Sequence, residues 1–228
     1  MLKALVWDFD GVIVDSEPMH YRAFAQVARQ LDAQFSWEEY LDRYIGYDDR
    51  DVFRILLTEA GKADQGSDDI PTLCAKKAEI FDEIVAQGIE PMPGAVELID
   101  SAGRQMPLAI SSGATQRDVD LILGRLELLD RFDTIVTADD VARSKPDPQG
   151  YTLAVSGLAQ RRPELELTPG NCLAIEDTAA GIQSARDAGL MTLGVAYTGP
   201  GKLLHAAHRV VDTLERLDIE QLQEWFGK

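Results

Sequence analysis

Apolar residues follow three different rhythms along this chain, and the changes between them mark out its parts. The first is a short continuous run, Leu5-Val6-Trp7, that ends abruptly in Asp8-Phe9-Asp10-Gly11. A brief apolar run closed by a glycine reads as a buried strand of a parallel sheet. From about Glu17 to Gly88 the apolar positions recur three and four residues apart: Tyr21, Phe24, Ala25 and Ala28, then Val52, Ile55 and Leu56, then Leu73, Ile80, Phe81 and Ile84, with Lys77 in the same stripe. That spacing predicts helices, with nothing strand-like among them.

The third rhythm begins at Gly94, where short apolar strands alternate with helical stretches. Strands are predicted near Pro107–Ser111, Thr134–Thr137, Cys172–Glu176, Met191–Val195 and Arg209–Val211. Helices are predicted near Ala95–Arg104, Gln116–Leu126, Gln149–Ala159, Ala179–Ala188 and Asp218–Trp225. Such alternation builds a parallel sheet with helices on both faces and right-handed crossovers. The N-terminal strand joins this sheet. The expected fold class is therefore α/β: a doubly wound, Rossmann-like parallel sheet formed by residues 1–15 and 90–228, with a helical domain inserted over 16–89. Pro18 and the stretch Gly88-Ile89-Glu90-Pro91-Met92-Pro93-Gly94 punctuate the insert and suit a pair of hinge strands.

Composition narrows the function. A formal charge of −17 repels nucleic acid and anionic membrane, and no basic patch offsets it. Neither class of partner is expected, and a monomer, or at most a dimer, is. The two cysteines, Cys74 and Cys172, sit in helical or apolar surroundings, which suits inert thiols in a reducing compartment. With no signal-peptide pattern and no apolar run near the ~20 residues of a membrane span, a soluble cytoplasmic protein is expected. The same negative charge repels anionic metabolites, so a phosphate site on this chain needs a local cation, a lysine or helix N-termini.

Four strand ends carry residues that could meet this need. Asp8 and Asp10 are two apart, so in extended backbone both carboxylates face one crevice; a plain turn built on Asp10-Gly11 is the structural alternative. Ser111-Ser112-Gly113 offers a hydroxyl and backbone N–H groups where a strand gives way to a helix, a cradle for phosphate oxygens or an ordinary helix cap. Ser144-Lys145-Pro146-Asp147-Pro148 holds a lysine in a proline-stiffened turn. Glu176-Asp177 ends a strand just before a helix, where hard oxygen ligands could project or simply complement the helix dipole.

In this order the motifs resemble the haloacid dehalogenase superfamily. Asp8-Phe9-Asp10-Gly11-Val12, then Ser111, then Lys145-Pro146, then Glu176-Asp177-Thr178-x-x-Gly181 are similar to its four signature segments, and the helical insert is similar to the cap of the branch containing phosphoglycolate phosphatase and β-phosphoglucomutase. The resemblance implies a Mg2+-dependent enzyme working through an aspartyl phosphate. It makes Asp8 the nucleophile and a metal ligand, and Asp10 the general acid/base with its carbonyl on the metal. Ser111 would hold the phosphoryl group, with Ser112 and Gly113 beside it. Lys145 would neutralise the phosphoryl oxygens, and Asp177 with Glu176 would anchor the metal.

Asp10 separates phosphoryl transfer from dehalogenation, because a halide leaving group needs no acid. His20, Gly46 and Lys77 stand where the cap of the resembled branch approaches a substrate, which implies a small phosphorylated metabolite such as a sugar phosphate. Asp49 occupies the position of an arginine that grips a second phosphate in the mutase, and Ala114-Thr115 replace its Lys-Asn pair. Those departures favour a hydrolase over a phosphosugar mutase. A non-catalytic receiver-like phospho-acceptor is the third alternative, disfavoured by the length of the chain and by the helical insert.

Overall fold

The computed structural model describes residues 1–44, 47, 49–62, 70–197 and 201–227, with the backbone alone for 202 and 203. The chain divides into two compact units, Met1–Asp15 with Ile89–Lys228, and Ser16–Gly88. In chain order, strand β1 (Ala4–Trp7) precedes the helices of the second unit, α1 (Glu17–Gln30), α2 (Trp37–Arg43), α3 (Asp49–Glu59) and α4 (Ile70–Ala86). There follow α5 (Ala95–Gly103), β2 (Leu108–Ser111), α6 (Gln116–Arg125), β3 (Thr134–Val136), α7 (Gln149–Arg161) and β4 (Cys172–Glu176). The order closes with α8 (Ala179–Asp187), β5 (Met191–Val195), β6 (Arg209–Val211) and α9 (Ile219–Phe226).

The six strands form one sheet in the order β3-β2-β1-β4-β5-β6, and every neighbouring pair is parallel. The sheet grows from β1 outward through β2 and β3, then restarts on the other side with β4, so the topological switch point lies between β1 and β4. All four residues of β1 are buried, as the unbroken apolar run requires of a strand covered on both faces. Ala4 and Val6 join a core with Tyr151, Ala154, Val155 and Leu158 of α7. Strand alternation sends Leu5 and Trp7 to the opposite face, where they are equally inaccessible. Burying a side chain such as Leu158 contributes about 1.5–3 kcal/mol.

The helical unit has its own core, built from Phe24, Val27 and Ala28 of α1, Tyr40, Tyr44, and Val52, Phe53 and Leu56 of α3. Ala23 and Val27 line the buried face of α1 where the sequence pattern pointed to Ala25, which is only half-buried. The stripe runs through Ala23, Phe24, Val27 and Ala28, which are linked by steps of three and four residues. Helix α2 starts at a capping box: the Ser36 hydroxyl accepts from Glu39 N, and the Glu39 carboxylate accepts from Ser36 N. Ser-x-x-Glu is a legible start signal for that helix.

Candidate active site

Sheet register assembles the site. Trp7 pairs with Ile110 of β2 and with Ile175 of β4, so the next residue along, Asp8, lies level with Ser111 on one side and Glu176 on the other. Asp8 N donates to Ile175 O at 2.9 Å, which continues the ladder to the point where the carboxylate emerges. Three residues from three separate segments thus meet at the carboxyl edge of the sheet, beside the switch point. Ligands in open α/β sheets bind in that crevice.

Lys145 enters from the loop before α7. Its Nζ lies 2.7 Å from Asp8 Oδ1 and 2.6 Å from Glu176 Oε1, bridging the two carboxylates. Burial alone would lower its pKa, but Asp8 and Glu176 hold the proton and the net shift is upward. Lys145 is therefore a fixed positive charge. Asp8 is shifted upward as well: burial first, then Glu176, push its carboxyl well above the usual range, with Lys145 opposing them. One lysine does not balance the carboxylates gathered here, and desolvation makes the deficit costly.

Glu176 is fully buried and densely hydrogen-bonded. Oε1 accepts from Lys145 Nζ and from Tyr151 OH at 2.9 Å, while Oε2 accepts from Asp177 N, Thr178 N and Thr178 Oγ1 at 3.0–3.1 Å. Burial would raise its pKa, but Lys145 and these donors bring it below the ordinary value. Helix α8 comes close enough that a Cβ on Gly181 would stand 1.7 Å from Glu176 Oε1, so only glycine fits there.

Asp8, Glu176 and Asp177 each present a carboxylate oxygen, all within 4.8 Å of one another. Clustered hard oxygens suit a divalent cation of the Mg2+ type. Gly11 keeps the approach open: its φ is +74°, and a Cβ there would meet Asp177 Oδ2 at 2.1 Å. The residues fit the metal that the family motifs imply. The Asp10 side chain is not one of the three that converge.

Across the site, Ser111 and Ser112 are buried at the end of β2 and line a small hollow of about 20 Å3 with Gly113, Arg143, Ser144 and Lys145. Gly150 lets α7 approach, since a Cβ there would stand 2.7 Å from Ser111 Oγ. The backbone of Ser112 is already committed, its N–H donating to Val136 O and its hydroxyl accepting from Ala114 N, both at 2.9 Å. These two bonds tie Ser112 to β3 and to the start of the following loop.

Comparison with known proteins identifies the family. The profile of the haloacid dehalogenase-like hydrolases matches residues 5–195. The chain belongs to this family. It is 36% identical over 198 residues to the protein CbbY of Rhodobacter capsulatus, covering 83% of each chain. It is 30% identical over 193 residues to the fructose-1-phosphate phosphatase YqaB of Escherichia coli (strain K12), covering 84% of this chain and 95% of that one. Its fold resembles a solved β-phosphoglucomutase from Clostridium difficile with a TM-score of 0.77 at 25% identity, over 100% of this chain and 98% of the other.

As a haloacid dehalogenase-like hydrolase, the chain is an enzyme, which removes the receiver-like alternative. Its described helices include none long and apolar enough to cross a membrane. Within the helical unit, the candidates His20 and Lys77 meet. Lys77 Nζ lies 2.9 Å from His20 Nδ1 and 2.9 Å from Asp49 Oδ1, with the rings of Phe24 and Phe81 at 4.7 and 5.3 Å. His20 stacks on Phe81, and burial followed by the Lys77 charge lowers its pKa well below the usual value, so a neutral ring accepts from the ammonium. Gly46 lies outside the described residues. Sequence reasoning passed over Tyr151, whose hydroxyl touches Glu176. An aromatic in the apolar stripe of a helix reads as core, and nothing local reveals that its polar end meets a carboxylate 25 residues away.

Proposed function

We propose that this enzyme is a Mg2+-dependent phosphatase that hydrolyses a small phosphorylated metabolite, such as a sugar phosphate, through an aspartyl phosphate on Asp8. The observation that carries this reading is Lys145 Nζ held 2.7 Å from Asp8 Oδ1 inside a group of three carboxylates. A nucleophilic carboxylate attacking a phosphate dianion needs that arrangement, because each of its partners would otherwise repel it.

Asp8 attacks phosphorus and the ester oxygen departs. Asp10, two residues on, gives that oxygen its proton and then takes one from the water that cleaves the aspartyl phosphate, so the acid is restored. Lys145 steadies Asp8 and screens the phosphoryl oxygens, which the Ser111 hydroxyl and the Gly113 loop hold. Asp8, Asp177 and the Asp10 carbonyl would hold Mg2+, which supplies the remaining positive charge for an incoming dianion. The oxygens of Glu176 already serve five donors, so its role is to hold Lys145. The helical unit Ser16–Gly88 serves substrate selection. The likeness of the chain to a named sugar-phosphate phosphatase supports the substrate class.

A mutase is the second reading, carried by the likeness to β-phosphoglucomutase. Asp49, at the position where the resembled mutase carries an arginine, favours hydrolysis, and its carboxylate pairs with Lys77. Incubation with Mg2+ and a panel of phosphate monoesters, p-nitrophenyl phosphate among them, should release inorganic phosphate. With β-glucose 1-phosphate and a trace of the 1,6-bisphosphate, isomerisation faster than phosphate release would overturn the hydrolase in favour of the mutase.

A further inference from the structure

We propose that Tyr151 is a positioning residue for phosphoryl transfer: its hydroxyl fixes Glu176, and Glu176 in turn holds Lys145 against Asp8. The inference rests on the phosphatase reading above and adds a residue to it. Tyr151 lies on α7 with no exposed surface, and its hydroxyl donates to Glu176 Oε1 at 2.9 Å. That oxygen is also the one 2.6 Å from Lys145 Nζ. The ammonium stands 5.3 Å from the centre of the Tyr151 ring, so one side chain meets the acid through its oxygen and the lysine through its face.

The division of labour on Glu176 makes the hydroxyl consequential. Oε2 is gripped by the backbone of Asp177 and Thr178 and by the Thr178 hydroxyl, all from its own strand end. Oε1 has two partners, and one of them is Lys145 itself. Tyr151 is thus the group that fixes Oε1 independently of the lysine being positioned. Without it, the carboxylate can twist and carry Lys145 away from Asp8. Catalysis depends on such placement, because a charge must already lie where the transition state needs it. The phenol cannot compete as an anion: burial and then Glu176 push its pKa well above the usual value, so it stays a donor. The Tyr151 hydroxyl acts through Glu176, while the ring face meets Lys145.

The experiment is Tyr151→Phe, which keeps the ring in the core and deletes the hydroxyl, compared with Leu158→Ala, a core truncation on the same helix with no link to Glu176. With a monoester that the wild type turns over, Tyr151→Phe should lower kcat about tenfold and leave KM within about twofold, as expected for a charged hydrogen bond that matters in the transition state. Leu158→Ala should lower the melting temperature more and leave kcat within about twofold. Glu176→Gln supplies the second arm: if Tyr151 acts through Glu176, the double variant Tyr151→Phe/Glu176→Gln has the kcat of Glu176→Gln alone. A kcat for Tyr151→Phe within twofold of wild type overturns the proposal, as does a multiplicative loss in the double variant. If Tyr151→Phe does not fold, the comparison moves to Tyr151→His, whose ring keeps a donor; kcat unrelated to the presence of that donor overturns it too. Failure of the phosphatase reading is separate, since the wild type itself would then release no phosphate.

Discussion

Lys77 Nζ and Asp49 Oδ1 stand 2.9 Å apart in the helical unit, an ion pair whose lysine side chain is only 4% exposed while that of the aspartate is 38% exposed. The ammonium cannot reach water from there, so its charge depends on Asp49, on His20 and on two aromatic faces. Asp49→Ala should cost about 2–3 kcal/mol, less than the full loss for a completely buried pair because Asp49 keeps some solvent. Lys77→Met, which removes the charge and fills a similar volume, should cost less than half as much. Urea denaturation of both variants checks the order, and a Met variant less stable than the Ala variant contradicts it.

His20 should make the protein acid-sensitive. Its folded pKa lies below its unfolded value of 6.5, so below that pH the unfolded chain binds a proton that the folded one refuses. Stability contributed by the neutral ring is present above about pH 6.5 and is lost as the pH falls from there towards the folded pKa. His20→Gln removes this slope. Melting curves from pH 7.5 to pH 5 should show the variant gaining on the wild type as acid is added; parallel curves would assign the acid sensitivity elsewhere.

Asp8→Asn should abolish turnover while the fold survives. An amide cannot form the acyl phosphate, and a neutral side chain fits the same volume beside Lys145. Residual activity should lie below about one per cent of wild type, measured as phosphate release after thorough purification. The melting temperature should stay level or rise, because Asp8 is a buried carboxylate beside other acids.

Chelation should stop the reaction, and Mg2+ should restore it. Asp177→Ala should raise the Mg2+ concentration needed for half-maximal rate by at least tenfold, since its carboxylate lies within 4.8 Å of those of Asp8 and Glu176. Direct titration of Mg2+ by calorimetry gives the same comparison without relying on turnover. Full activity in EDTA would show that the acidic group serves another purpose.

Gly181→Ala tests the packing of the site from the other side. Its helical backbone tolerates alanine, yet the new Cβ would overlap the Glu176 carboxylate at 1.7 Å. The acid must shift and take Lys145 with it, so kcat should fall by at least tenfold. A loss of stability without loss of kcat in the surviving folded enzyme would place the strain elsewhere.

The architecture was legible because burial leaves a periodic trace. Leu5-Val6-Trp7 reads as a two-sided strand because both faces of β1 are covered, and the run of Cys172–Glu176 reads so for the same reason. The carboxylates at both strand ends stood out because charge cannot continue inside such a strand without a purpose. Lys77 falls in the apolar stripe of its helix, and its spacing gives no hint that Asp49 is its counter-ion.

What the sequence determined by itself was the set of elements, the alternation that makes a doubly wound sheet, and the chemical groups at four strand ends, since each is written in contiguous residues. Only the tertiary structure decided who meets whom. Register set Asp8 level with Ser111 and Glu176, the approach of α7 put the Tyr151 hydroxyl on Glu176, and the packing of α1 with α4 put His20 on Lys77. Hydrogen bonds between residues 25 or 57 positions apart depend on where crossovers return the chain. Local periodicity records which side of an element is buried, and it carries no information about the partner that buries it.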